Sequence, residues 1–306
     1  MTDRTEDLLA TAREHGLRLA PERTEWDESG ADFLVAHATD EDGARWVVRL
    51  PRRPDVLERA AAEERALRML RDRLPVEVPR WEVFAPEMIA YRRLAGHPAA
   101  VVDPAAGGYV WRFDETAPPA AFLDSLARAL AALHAVEPEA AAAAGLPVRT
   151  PAEVREAHAA RMERARGVLE VPDPVWRRWQ AWLADDTFWP EHSTLVHGDL
   201  HPPHLLVDDA HRVTGLLDWT EAQVADPAAD FTLQYATLGR GVTADLLERY
   251  RAAGGRTWPR MADHVAETWS AYPALIAEFA LLSGEDGPRQ LGQYLLDAGA
   301  RAIAGS

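Results

Sequence analysis

Residues 194–208 read TLVHGDLHPPHLLVD, and residues 213–219 follow with VTGLLDW. Three histidines, His197, His201 and His204, surround the carboxylates Asp199 and Asp208, and Asp218 closes the second stretch. The apolar runs TLV, LLV and VTGLL are short and bounded by turn residues, as buried strands are. On that reading a strand ends at Val196, a loop delivers Asp199, and a short strand runs from Leu205 to Val207. A turn then returns the chain to a strand, Thr214 to Leu217, that delivers Asp218. Two carboxylates converge at the end of a small hairpin. Such a pair holds a hard cation, or one member holds the cation while the other takes a proton.

Upstream, WVVR (46–49) puts a cation, Arg49, at the end of a strand, and Glu63 follows fourteen residues later. Glu63 lies in a predicted helix over 55–74, where Leu57, Ala60, Leu67, Leu70 and Leu74 form one stripe. Before it, 25–50 reads as two strands joined by a turn at Asp42-Gly43, and a further strand pair is expected around Ala85-Pro86. Residues 4–17 are an amphipathic helix. The first 94 residues thus form a small sheet with a helix against it. The stretch after Gly96 is rich in Pro, Gly and Ala and reads as loop. Helices are expected over 119–136, 151–169, 174–186 and 243–304. Ala140–Ala144 is a helix end or linker. Trp176, Trp179 and Trp182, at helical spacing, read as core rather than as a ligand platform.

Composition narrows the function. A net charge of −16 excludes a nucleic-acid surface and suits a cationic small molecule. With no cysteine there is no thiolate chemistry and no disulfide. No apolar run spans a bilayer, and the acidic N-terminal helix is not a signal peptide, so a cytoplasmic monomer is expected. The chain also lacks lysine and asparagine, so sites that ordinarily use those residues must use others.

Protein kinases place a base, a metal-binding side chain five residues later and a metal carboxylate about twenty residues on, as H-R-D-x-x-x-x-N and D-F-G. Here the same order is His197-Gly198-Asp199 with His204, then Asp218-Trp219-Thr220. Together with LARALAALHAV (126–136), GLLDW (215–219) and DPAADF (226–231), this resembles the aminoglycoside phosphotransferase-like kinase family over roughly residues 25–285. Arg49 in the usual place of lysine, His204 in the usual place of asparagine and RAAGGRTWPRMADHVAE (251–267) are most similar to macrolide 2′-phosphotransferases.

The resemblance implies an α+β, two-lobe fold. Residues 1–94 would form a nucleotide-binding lobe with a small antiparallel sheet, and 95–306 a mostly helical catalytic lobe, with a hinge near 91–96. It implies Asp199 as base, His204 and Asp218 as ligands of a nucleotide-bound Mg²⁺, and Arg49, paired with Glu63 rather than Glu64, as the phosphate grip. Tyr91, Arg92 and Leu94 would border the base of GTP, with ATP the alternative donor. The chain has no G-x-G-x-x-G, so DESGADF (27–33), with Ser29, would border the phosphates. His197 and His201 are assigned to holding the loop, and Asp226 and Asp230 to its support.

A macrolide needs an apolar wall and one acid for its amino sugar. WSAYPALIAEFALLSG (269–284) offers Trp269, Tyr272 and Phe279 with a single acid, Glu278. The competing acceptors are an aminoglycoside, a sugar or an amino alcohol. A zinc hydrolase built on the three histidines lacks the converging elements that zinc sites use. A kinase-like module without catalysis is opposed by the intact Asp199 and Asp218.

Overall fold

The structure, a computed structural model, describes residues 3–28, 30, 32–103, 108–284 and 286–305. Five antiparallel strands, β1 (Leu19–Asp27), β2 (Phe33–Asp40), β3 (Arg45–Pro51), β4 (Trp81–Phe84) and β5 (Ile89–Arg92), form one sheet in the order β1-β2-β3-β5-β4. Residues on a strand alternate between faces, and directly paired residues share one. Val35 pairs with Arg49, Val47 with Tyr91, and Arg49 with Ile89. These residues therefore line a single face, which meets helix α2 (Val56–Leu70). Ala36, Ala38, Trp46, Val48 and Ala90 line the other face. They pack on Leu8, Leu9 and Ala12 of helix α1 (Asp3–Glu14).

Most of these elements answer to the sequence pattern, but β1 does not. Its burial alternates poorly, it carries Pro21, and its pairing slips between Leu19 and Thr24. These are marks of an edge strand, which buries too little to leave a pattern. The expected loop after Gly96 is also wrong in part. It holds β6 (His97–Pro98), β7 (Ala100–Asp103) and β8 (Gly108–Trp111), the last two paired as a hairpin. Val101, Val102 and Val110 are exposed there, so no buried face marks the register.

The chain leaves the first sheet at Arg92, and His97 already pairs with Val207. Strands β9 (Thr194–Val196), β10 (Leu205–Val207), β11 (Val213–Leu216) and β12 (Gln223–Ala225) pair as β6-β10-β11 and β9-β12. They lie against helix α3 (Ala120–His134). Its Phe122, Leu126, Leu130 and Leu133 are fully buried, each worth about 1.5–3 kcal/mol of apolar burial. Around this core stand α4 (Pro138–Ala143), α5 (Pro151–Ala165), α6 (Asp173–Ala184), α7 (Ala229–Ala252, kinked at Gly239), α8 (Met261–Ser270), α9 (Tyr272–Ser283) and α10 (Asp286–Ala304). Helix α5 opens with a capping box, Thr150 with Glu153, behind Pro151. Trp179 and Trp182 are buried in the core, as their spacing suggests. No described helix is long and apolar enough to cross a membrane.

Candidate active site

The loop after β9 is held from below. Gly198 has φ +84°, and a Cβ there would stand 2.5 Å from the Glu221 carbonyl oxygen, so glycine is required. Asp230, fully buried at the start of α7, accepts the His197 N–H (3.0 Å), the Gly198 N–H (2.9 Å) and His134 Nε2 (3.0 Å). Burial is the largest influence on Asp230 and works to raise its pKa. The His134 hydrogen bond and charge, with His197 and the Gly198 N–H, outweigh it and hold the group below the usual carboxylate range. His197 is also fully buried. Its Nε2–H donates to the Leu217 carbonyl (2.9 Å) and its Nδ1 accepts the Asp199 N–H (3.3 Å). Burial lowers its pKa, so the neutral ring spends its one donor and one acceptor tying the loop to the strand that delivers Asp218.

Above this support the acids face open space. Asp199 Oδ1 lies 3.1 Å from His201 Nε2, and His201 Nδ1 is hydrogen-bonded to the Tyr109 hydroxyl. A carboxylate only accepts, so Nε2 carries the proton and Nδ1 accepts from the phenol. Asp199 Oδ2 is 3.8 Å from the nearest imidazole nitrogen, His204 Nδ1, too far for a hydrogen bond. His204 Nδ1–H instead donates to the Asp199 carbonyl (2.9 Å). Its Nε2 is thereby turned toward Asp218 Oδ2, 4.0 Å away. Asp218 takes the left-handed φ of +60° and accepts a 2.5 Å hydrogen bond from the Thr220 hydroxyl on Oδ1. Burial pushes the pKa of Asp218 up, but His204, Thr220 and Arg49 prevail and lower it. For Asp199, burial is likewise outweighed by His201, His204 and His197.

Arg49 Nη1 meets both Glu63 oxygens at 2.9 Å, with Glu63 fully buried, while Glu64 pairs with Arg68. Its guanidinium stacks 4.0 Å above the Phe33 ring, and Glu63 also receives the Trp219 N–H at 3.4 Å. Beside it Val47, Tyr91, Leu94 and Leu206 pack with Val35, Trp81 and Leu217 as one apolar cluster between sheet and helical part. Tyr91 and Leu94, expected beside the nucleotide base, lie in this cluster, and its other members were not singled out in the sequence. The available signal was strand periodicity, since Val47 precedes Arg49 by two and shares its face.

The phosphotransferase enzyme family matches residues 25–264. The chain belongs to that family. Macrolide 2′-phosphotransferase MphH from Brachybacterium faecium is 43% identical, with a TM-score of 0.87 over 96% of this chain and 98% of its own. A macrolide 2′-phosphotransferase type I is 41% identical, with a TM-score of 0.90 over 97% of each chain. The uncharacterized protein YcbJ of Bacillus subtilis (strain 168) is 45% identical over 92% of each chain. The fold is therefore kinase-like, the small sheet and larger helical part being its two lobes. The chemistry of this phosphotransferase is phosphoryl transfer to an alcohol.

The remaining expected residues divide. Tyr272, at the start of α9, is close enough to Asp199 and Tyr109 for both to raise its pKa, after burial as the main cause. Trp269 packs on it at 4.9 Å between ring centroids. Phe279, seven residues on, returns to the same helical face about 10 Å further along, and is exposed. Glu278 does not fill the role expected of it. It is rotated toward α5 and paired with Arg161 (2.8 Å) and Arg164, which satisfies its charge. Arg92 is also corrected. Its side chain shares a face with Trp46, stacks 4.0 Å over that ring and pairs with Asp40 and Glu82, away from the apolar cluster. Ser29 lies outside the described residues. Its neighbours Glu28 and Gly30 give their carbonyls to Arg52. Tyr109 had no signal in the sequence, because it sits on the hairpin read as loop.

Proposed function

We propose that this phosphotransferase moves the γ-phosphoryl group of a nucleoside triphosphate to the 2′-hydroxyl on the amino sugar of a macrolide. The observation that supports this acceptor is the likeness, over almost the whole chain, to two macrolide 2′-phosphotransferases at 43% and 41% identity. The geometry fits. Asp199 Oδ2 has no hydrogen-bond partner among the described residues and accepts the hydroxyl proton, while His201 on Oδ1 fixes the carboxylate's orientation. The hydroxyl oxygen then bonds to the γ-phosphorus as the bond to the β–γ bridging oxygen breaks, and the nucleoside diphosphate leaves. Tyr272, with Trp269 behind it and Phe279 beyond, forms the apolar wall for the lactone ring.

The donor is GTP, with ATP the alternative. Its base enters beside the apolar cluster of Val35, Val47, Tyr91, Leu94, Leu206 and Leu217. The Arg93 N–H is taken by the Arg45 carbonyl at 2.8 Å, which leaves the base edge to the backbone of Leu94 and Ala95. Division of the chain at 94/95 follows from this placement. Arg49 uses Nη1 on Glu63 and offers its remaining donors to phosphate oxygens.

No group of three or more metal-type side chains occurs among the described residues. Mg²⁺ completes its shell with phosphate oxygens and water and takes one or two protein carboxylates. Asp218 and His204, whose Nε2 stands 4.0 Å from Asp218 Oδ2, would hold the ion. When bound it neutralises charge on the transferring phosphate. We further propose that the protein works as a cytoplasmic monomer.

Incubation with GTP, Mg²⁺ and a panel of macrolides and aminoglycosides, read by mass spectrometry, tests the assignment. The expected product is a macrolide carrying one added phosphate. Phosphorylation of aminoglycosides with every macrolide unchanged would overturn it.

A further inference from the structure

A cavity of about 1120 Å³ lies behind the connection between the lobes. It contains none of Arg49, Glu63, Asp199, His204 or Asp218, and shares only Leu94 with the apolar cluster. Arg71, Arg80, Arg92 and Arg93 line it from the sheet lobe, Arg128 and Arg212 from the helical lobe. Six of its eighteen lining residues are arginine, against 33 of 306 in a chain without lysine. Only three carboxylates, Glu77, Glu82 and Asp208, share the wall, although the chain's net charge is −16. The cations are thus concentrated here against the trend of the molecule.

Their pairing is uneven. Arg212 is held by Asp208, Arg92 by Asp40 and Glu82, and Arg71 and Arg80 share the exposed Asp72 at 3.4 and 3.5 Å. Arg93 and Arg128 have no carboxylate partner among the described residues. One belongs to the sheet lobe, where its charge also lowers the pKa of His37 after burial as the main cause, and the other to α3, so the two come from different lobes. A nucleic acid, which would have to run over the acidic surface around the cavity, is excluded, and one phosphate would fill little of this volume.

We propose that this cavity binds a compact small molecule carrying two or more phosphate groups, held between Arg93 and Arg128. Guanidinium forks match phosphate oxygens in pairs, and multiple anionic groups are needed to reach cations on both walls. The two lobes already meet at this wall, where the Glu77 N–H donates to the Thr214 carbonyl (2.8 Å) and the Leu216 N–H to the Glu77 carbonyl (2.9 Å). A bound polyanion adds a second tie beside that seam. The site stands apart from the phosphotransfer reading.

Inorganic tripolyphosphate is titrated calorimetrically into the full chain and into Arg93→Gln/Arg128→Gln, with the cleft saturated by nucleoside diphosphate and without Mg²⁺, which tripolyphosphate would itself chelate. The expected result is binding to the wild type that weakens at least about tenfold in the double variant. Arg93→Lys/Arg128→Lys, which keeps charge but loses the fork, is expected between the two. Absence of binding to the wild type, or equal affinity for wild type and the Gln double variant, overturns the proposal. Citrate binding as tightly as tripolyphosphate would overturn the assignment to phosphate.

Discussion

Asp199 and Asp218 differ from Asp226 and Asp230 in what their oxygens touch. The first two are about one-third exposed at the side chain, 32% and 38%. Each has one oxygen engaged, by His201 or Thr220, and one without a hydrogen bond among the described residues. The second two are buried and filled. Asp230 receives three hydrogen bonds, and Asp226 receives the Ala228 N–H (2.8 Å) and His264 Nε2 (2.6 Å). All four have histidine neighbours and all four are held below the usual carboxylate range, so neither feature separates the two pairs. The unsatisfied oxygen does, because a buried carboxylate cannot afford one and a reacting carboxylate requires one.

The comparison breaks most sharply at Asp199. Asp199→Asn keeps the His201 contact but removes the basic oxygen. Turnover is expected to fall about 10²–10⁴-fold. Nucleotide affinity and melting temperature should stay near wild type, since the free oxygen stabilises nothing in the resting protein. Steady-state kinetics beside calorimetry will show the split, and turnover within tenfold of wild type would remove Asp199 as the base.

Asp230→Asn should behave in the opposite way, as a stability variant. It leaves buried donors mismatched, at about 1–3 kcal/mol. The sign with pH follows from the lowered pKa of Asp230 in the fold. Its contribution is complete above the ordinary carboxylate value and is lost as pH falls below about 4, through the depressed folded value. Denaturant melts at neutral pH and near pH 3 should therefore show a wild-type advantage that shrinks with acid. An advantage that stays constant would mean the carboxylate is not held by its charge.

A smaller effect tests the orientation of Asp199. Tyr109→Phe removes the hydroxyl that directs His201, for about 0.5–1.5 kcal/mol, or roughly three- to tenfold in kcat. In a His201→Ala background the same substitution should do nothing further, because the hydroxyl would have nothing left to orient. Losses that multiply in the double variant would make Tyr109 a substrate contact instead.

How much of this was legible follows from range in the sequence. Asp199, His204 and Asp218 sit on one short hairpin, so spacing alone brings them together, and Arg49 with Glu63 needs only a strand and the next helix. The partners of His201 and Asp230 come from elsewhere. Tyr109 arrives on an exposed hairpin without apolar alternation, and His134 from α3. Leu206 and Leu217 read as ordinary strand core, and only the meeting of the lobes sets them against Val47 and Tyr91. The strand β1 escaped because an edge strand with Pro21 buries too little to impose a period.

Glu278 carries the smallest expected effect and the clearest contrast with the catalytic acids. Sequence singled it out as the one acid in an apolar helix, the natural partner for an amino sugar's cation. Six positions after Tyr272 it turns about 120° from the face that Tyr272 and Phe279 share, which brings it to Arg161 and Arg164 of α5. Those contacts outweigh burial and lower its pKa, so it is an anion already neutralised by two cations. Glu278→Gln should therefore leave the macrolide KM within about twofold. Its cost should fall on stability, at about 0–1 kcal/mol for a partly exposed pair. Phe279→Ala, on the cleft-facing side, should raise KM with little change in stability, since Phe279 is 47% exposed. A rise in KM for Glu278→Gln that exceeds the rise for Phe279→Ala would return the acid to the substrate face and require α9 to rotate when the acceptor binds.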